Sequence, residues 1–331
     1  MRALLSETPG GPQSLRLVEI DTPEPAADEI RIRMEAVGVN YPDMLIIEDR
    51  YQIRPERPFA PGSEIAGTVE AIGSDVEGFS IGDRVMAVPL YGMMAESVCV
   101  KAGFCHRFPD DMPFETAAAL QMTYGTALYA LTERGDCKPG ENVLVLGAAG
   151  GVGLAAVELG KALGARVVAA ASSEEKVAIT VEHGAEDGIV YPKGEIDKEA
   201  SKSLGKAFKS AFGGKGPDIV VDIVGGAYSE PALRSLRWGG RHLVVGFPAG
   251  IASIPLNLPL LKSCDIRGVF WGEAVSRDLD AHHKAMDRLI EFARTGAIKP
   301  RIHATYSLAE GADAIAALGS RGVIGKVVVV R

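Results

Sequence analysis

The stretch VLVLGAAGGVGLAAVELGKALGA (143–165) constrains this chain more than any other part of it. An apolar, strand-like run ends at Gly147, and a helical pattern begins near Gly151. Between them lies Ala148-x-Gly150-x-x-Gly153, a form of Gly-x-Gly-x-x-Gly with alanine first. Glycines at such positions let the backbone turn tightly and lie against a pyrophosphate. The helix that follows presents unpaired N–H groups and a partial positive charge to it. Strand, loop, helix and second strand occur here in the order a dinucleotide-binding unit requires. Gly150, Gly151 and Val152 are the candidate phosphate contacts.

The surrounding pattern supports this reading. From residue 141 onward, apolar runs alternate with helical ones. The strand-like runs are 141–147, 165–171, 188–192, 218–224, 241–247 and 264–270. They are mostly continuous rather than alternating, as a parallel sheet covered on both faces demands. Six such strands predict two mononucleotide-binding halves. Upstream the pattern differs: short β-type runs at 31–39, 64–73 and 84–90 with glycine punctuation predict an antiparallel barrel or sandwich. A helix-like stretch at 113–131, with a break near Tyr124-Gly125, joins the two regions. A long helix is expected over 281–296, stopped by Gly296 and Pro300, and an apolar strand at 325–330 is expected to return to the first region. The fold class is α/β, and 331 residues favour two domains.

The end of the second strand bears on cofactor choice. NAD binders usually place an acid there to accept from the ribose 2′-hydroxyl. Here Ala171-Ser172-Ser173 has none, Lys176 follows a turn later, and Tyr191 ends the next strand. Hydroxyls and a lysine suit a 2′-phosphate, so NADP(H) is expected. Glu174 and Glu175 count against it, and an N-cap serine with a solvated lysine is the plainer alternative. The net charge of −8, without a long basic run, argues against nucleic acid and anionic membranes. No signal-like or membrane-length apolar run occurs, and Cys99, Cys105, Cys137 and Cys264 are scattered, which fits reduced thiols in the cytoplasm.

Further motifs carry a family resemblance over almost the whole chain. They are Gly38-Val39-Asn40-Tyr41-Pro42-Asp43, Pro61-Gly62-Ser63-Glu64-Ile65-Ala66-Gly67, Gly82-Asp83-Arg84-Val85, the GAAGGVG loop and Val269-Phe270-Trp271-Gly272. The chain thereby resembles the zinc-free, zeta-crystallin-like quinone oxidoreductases of the medium-chain dehydrogenase/reductase superfamily. The resemblance implies a GroES-like, β-rich catalytic domain from residues 1–122 and 272–331, and a doubly wound Rossmann domain from 123–271, with NADPH between them. It also implies that Asn40, Thr126, Gly246, Phe247, Phe270 and Trp271 surround the nicotinamide, and that Ser172, Lys176 and Tyr191 hold the 2′-phosphate.

Zinc-dependent members resemble this chain but place ligands where Asn40, Ser63 and Met122 stand here, so no metal is expected. Cys105-His106 is an isolated pair. Asn40 is a candidate for orienting substrate or nicotinamide ribose, or else a turn residue bonding its own backbone. Tyr51 is a candidate proton donor or a half-buried loop tyrosine, and Asp43 either joins the chemistry or braces the backbone. Some quinone reductases carry a tyrosine where Leu45 stands, so that contact does not transfer. The function expected is NADPH-dependent hydride transfer to a quinone or enone. The rivals are a 2-enoyl thioester reductase, for which Arg50, Arg54 and Arg57 would form a basic rim, and a non-catalytic NADPH-binding protein. The sixth strand, expected at a sheet edge, points to a homodimer.

Overall fold

The computed structural model describes residues 1–194, 196–320 and 322–331. It divides into two compact units: 1–122 with 275–290 and 300–331, and 123–274 with 291–299. Among the described residues no helix is long and apolar enough to cross a membrane.

The first unit is built on the eleven-residue strand Glu29–Val39. Its first half alternates, with Ile30, Ile32 and Met34 buried and their neighbours half-exposed. The register shifts between Met34 and Ala36, and from there to Val39 every residue is buried. That change marks the point where the strand gains cover on both faces. Glu64–Ile72, Ser97–Lys101 and Lys326–Val330 all pair with it antiparallel. The sheet continues to Arg84–Ala87 and Cys105–Arg107 on one side and to Ile302–Ser307 on the other. Ile65, Val69, Val85, Val98, Val327 and Val329 complete the apolar core around Ile30, Ile32 and Met34.

The second unit holds a six-stranded, wholly parallel sheet. Its order is Asp187–Val190, Arg166–Ala171, Asn142–Leu146, Ile219–Asp222, Arg241–Val244 and Asp265–Gly268. The first strand in sequence thus lies at the centre, and the order reverses beside it, which is the doubly wound dinucleotide-binding topology. The helices Gly151–Ala162 and Glu174–Glu182 follow the first two strands.

Two details differ from the sequence expectation. The break expected near Tyr124-Gly125 falls instead at Ala119 and Leu120, between the helices Phe114–Ala118 and Gln121–Tyr129. Gly125 sits inside the second helix, where a Cβ would overlap the indole of Trp271, so this glycine serves packing rather than helix termination. Residues 272–274, expected with the first unit, group with the second, as do residues 291–299. Their anchor is the buried carboxylate of Glu158, which accepts from Lys299 N (2.9 Å) and Tyr124 Oη (2.6 Å) and contacts His183 Nδ1 (2.5 Å).

Candidate functional site

In the second unit the first helical bond of Gly151–Ala162 runs from Leu154 N to Gly150 O (2.8 Å). The N–H groups of Gly151, Val152 and Gly153 therefore precede any intrahelical acceptor and point out of the helix start. Gly150 is the extended N-cap, and both it and Gly151 are half-exposed. No acidic residue stands in this first turn to occupy the helix's positive end.

The other candidate cofactor residues lie at the carboxyl ends of the same parallel strands, with Thr126 on the helix Gln121–Tyr129. Ser172 follows Arg166–Ala171, and Ser173 caps the next helix by accepting from Lys176 N (3.4 Å). Burial and then the charge of Lys193 lower the Lys176 pKa. Tyr191 is 9% exposed and packs against Tyr228, the rings tilted by 55° at 4.9 Å between centroids. Its phenol is pushed up to about 12, mainly by burial. Gly246 is half-buried, whereas Phe247 and Phe270 expose 48% and 50% of their surface, and Trp271 is buried on Gly125.

Sequence reasoning missed the group that braces this edge. Asp222, 1% exposed, accepts from Val224 N (3.0 Å), Gly225 N (2.9 Å), Ser229 Oγ (2.5 Å) and His242 Nε2 (3.1 Å). Burial would raise its pKa, but these donors outweigh burial and hold it below the ordinary value. Its backbone oxygen accepts from Val245 N (2.9 Å) and Gly246 N (3.4 Å), so one residue sets both loops.

In the first unit Asn40 and Asp43 join a buried polar cluster, while half-buried Tyr51 packs against the apolar core. Asn40 ends the central strand and starts the helix Tyr41–Ile47, and its N–H donates to Asp43 Oδ2 (2.7 Å). Its Nδ2 faces Glu64 Oε1 (2.9 Å), Ser63 Oγ (3.0 Å) and Gly38 O (3.1 Å), and its Oδ1 accepts from Lys326 Nζ (2.7 Å). Lys326, 3% exposed, also donates to Glu64 Oε1 (2.6 Å) and Val39 O (3.1 Å). Glu64 Oε2 takes Met122 N (2.7 Å). Asp43 is fully buried, and its Oδ1 has no hydrogen-bond partner. Burial pushes its carboxyl up to about 7, against the Asn40 amide, Lys326 and Ser63, which lower it; Glu64 adds to the rise. The Tyr51 phenol is raised by burial and then by Asp43. Lys326 was missed because it heads a run read simply as apolar. A lysine there calls for a buried anion, and Glu64 at the head of another strand was the available partner.

This donor set does not fit zinc. Asn40 is fully engaged, Ser63 is a hydroxyl, Met122 a thioether, and an ammonium already occupies the carboxylate. Among the described residues no group of three or more His, Cys, Asp or Glu is placed to hold a metal. Cys105 points at Lys101 O, while His106 contacts His283 Nδ1 and Asp287 (both 3.1 Å).

Comparison with known proteins places this geometry. The alcohol dehydrogenase GroES-like domain family matches residues 26–110, and the zinc-binding dehydrogenase family matches residues 151–291. The chain is 36% identical to rat quinone oxidoreductase-like protein 2 over 95% of its own length and 88% of that protein's. It is 32% identical to human quinone oxidoreductase over 95% and 92%. Its structure matches that of Escherichia coli quinone oxidoreductase complexed with NADPH at a TM-score of 0.91, 28% identity and full coverage of both chains. A mycobacterial protein complexed with NADPH matches equally well, at 0.91 and 29%, with the same coverage.

Proposed function

The chain belongs to the quinone oxidoreductase family of the medium-chain dehydrogenase/reductase superfamily, and on that premise we propose that it reduces quinones or enones with NADPH and without zinc. One observation carries the reading of the cofactor: an uncapped helix start and the Ser172–Lys176 corner lie at the carboxyl ends of neighbouring strands of one parallel sheet. The N–H groups of Gly151 and Val152 would hold the pyrophosphate, and Ser172 and Lys176, with Tyr191 behind them, the 2′-phosphate. Gly246, Phe247, Phe270, Trp271 and Thr126 would frame the nicotinamide. NADPH, when bound, supplies the hydride, so the chain's own task is binding, orientation and exclusion of water.

On the first unit, Asn40, Asp43 and Tyr51 are the catalytic candidates. The raised pKa of Tyr51 keeps its phenol protonated at neutral pH, so it can hold a proton for the carbon beside an enone carbonyl. A reduced quinone takes its proton from water and has no need of that phenol. The exposed Ile251, Leu256, Leu260 and Leu261, near the edge strand Asp265–Gly268, support a homodimer. Four free cysteines support a reducing compartment such as the cytoplasm.

The test is NADPH oxidation against a panel of quinones, enones and enoyl-CoA thioesters, using C4-deuterated NADPH. Deuterium is expected at the β-carbon of an enone product, with Tyr51→Phe slowing enones more than quinones. An enone product without deuterium from either C4 position overturns direct transfer. Stoichiometric zinc by elemental analysis, with activity lost to a chelator and restored by zinc, overturns the zinc-free reading.

A further inference from the structure

Lys326 lies 286 residues from Asn40 in sequence, yet its ammonium bonds the Asn40 amide oxygen. An ammonium donates and never accepts. The Asn40 atom 2.7 Å from Lys326 Nζ must therefore be the amide oxygen, and the NH2 group is forced toward Glu64, Ser63 and Gly38. Asp43 meets this arrangement through the Asn40 backbone, whose N–H donates to Asp43 Oδ2 (2.7 Å). The Asn40 side chain is thus held from both ends, its oxygen by Lys326 and its NH2 among Glu64, Ser63 and Gly38.

The strands are arranged to make this reach possible. Glu64 and Val328 both stand opposite Gly38, from the two strands that flank it. A Cβ at Gly38 would overlap the Glu64 carboxylate and the Ala118 carbonyl, so only glycine lets that carboxylate cross the central strand to Lys326.

We propose that Lys326 is a positioning residue of the candidate site: its buried ammonium, bonded to Asn40 Oδ1 and Glu64 Oε1, fixes the Asn40 side chain and is the cation of the pocket that holds Asp43. The proposal rests on the reading of Asn40 and Asp43 as catalytic candidates. Five groups face the Asp43 carboxyl: the Asn40 amide, Lys326, Ser63, Glu64 and Tyr51. Of the charged ones, only Lys326 favours the carboxylate, so its removal has a defined sign.

The experiment follows Asp43 directly, in full-length protein labelled at the aspartate carboxyl carbons, with Asp43→Asn assigning the signal. In Lys326→Met the Asp43 titration midpoint should rise by about one pH unit, the low end of the effect of an adjacent opposite charge. Lys326→Arg should restore it. Where Lys326→Met does not fold because Glu64 is left unpaired, the double variant Glu64→Gln/Lys326→Met removes both charges and carries the measurement. Its midpoint should still rise, by less. An Asp43 midpoint unchanged from wild type in whichever of these variants folds overturns the proposal. The pH profile of NADPH-dependent reduction is recorded alongside. A midpoint that moves while the profile stays fixed upholds the positioning role and instead removes Asp43 from the chemistry.

Discussion

Replacing Asp43 with asparagine should change the pH dependence of stability in a direction the structure dictates. The fully buried carboxyl has its pKa pushed from an ordinary 3.8 to about 7, chiefly by burial. A folded-state value above the unfolded one means that this group's stabilisation is complete below about pH 4 and is lost as pH rises through 7. At ~1.4 kcal/mol per unit the ceiling is ~4 kcal/mol, and relaxation around the charge leaves ~2–4 kcal/mol. Asparagine can still accept the Asn40 N–H and cannot ionise. The wild type should therefore lose ~2–4 kcal/mol relative to Asp43→Asn between pH 4 and pH 8. Both tryptophans, Trp238 and Trp271, belong to the second unit, so indole fluorescence reports on the wrong part of the chain. Amide hydrogen exchange in Glu29–Val39 and Lys326–Val330, measured against urea at pH 5, 6, 7 and 8, reports on the right one. A stability difference constant to ~0.5 kcal/mol across that range would refute the reasoning.

Lys176→Ala should weaken NADPH binding by ~1–3 kcal/mol and leave NADH binding nearly unchanged; fluorescence titration of both cofactors checks it, and equal losses would dissociate Lys176 from the 2′-phosphate. Leu260, 75% exposed, should matter to association: light scattering should give twice the 34.9 kDa chain mass for the wild type and a smaller mass for Leu260→Glu. A wild-type monomer at micromolar concentration would rule the dimer out. Gly125→Ala should press on the Trp271 indole, shift its emission and cost ~1–3 kcal/mol in the second unit, and an unaltered spectrum would contradict that packing.

The parallel sheet was legible because local signals act in concert: continuous apolar runs, a glycine loop of fixed spacing and a helix after each strand. Strand existence followed from those runs, and the strand order followed from the topology they imply. The helix break was misplaced because a glycine inside a helix reads as a terminator, whereas Gly125 is small to accommodate Trp271 from 146 positions downstream. The same separation hid Lys326 and Asp222. Nothing beside Lys326 in sequence says that its strand lands opposite Gly38, and nothing beside Asp222 names Ser229 and His242 together as its partners. Asn40 was singled out as a residue to examine. That its amide is engaged on every side depends on three segments meeting, which pattern alone does not specify.

The pairing of Glu64 with Lys326 also has a timetable. The two are separated by 262 residues, and at ~5–20 residues per second a ribosome needs roughly 13–52 s to travel between them. All six strands of the parallel sheet emerge within that interval, so the second unit can close while the first still waits for its flanking strand. Until Lys326 arrives, the Glu64 carboxylate has no cation and the Asn40 amide oxygen no donor. The nascent first unit therefore has cause to keep this pocket wet, and its drying out should be among the last events of folding.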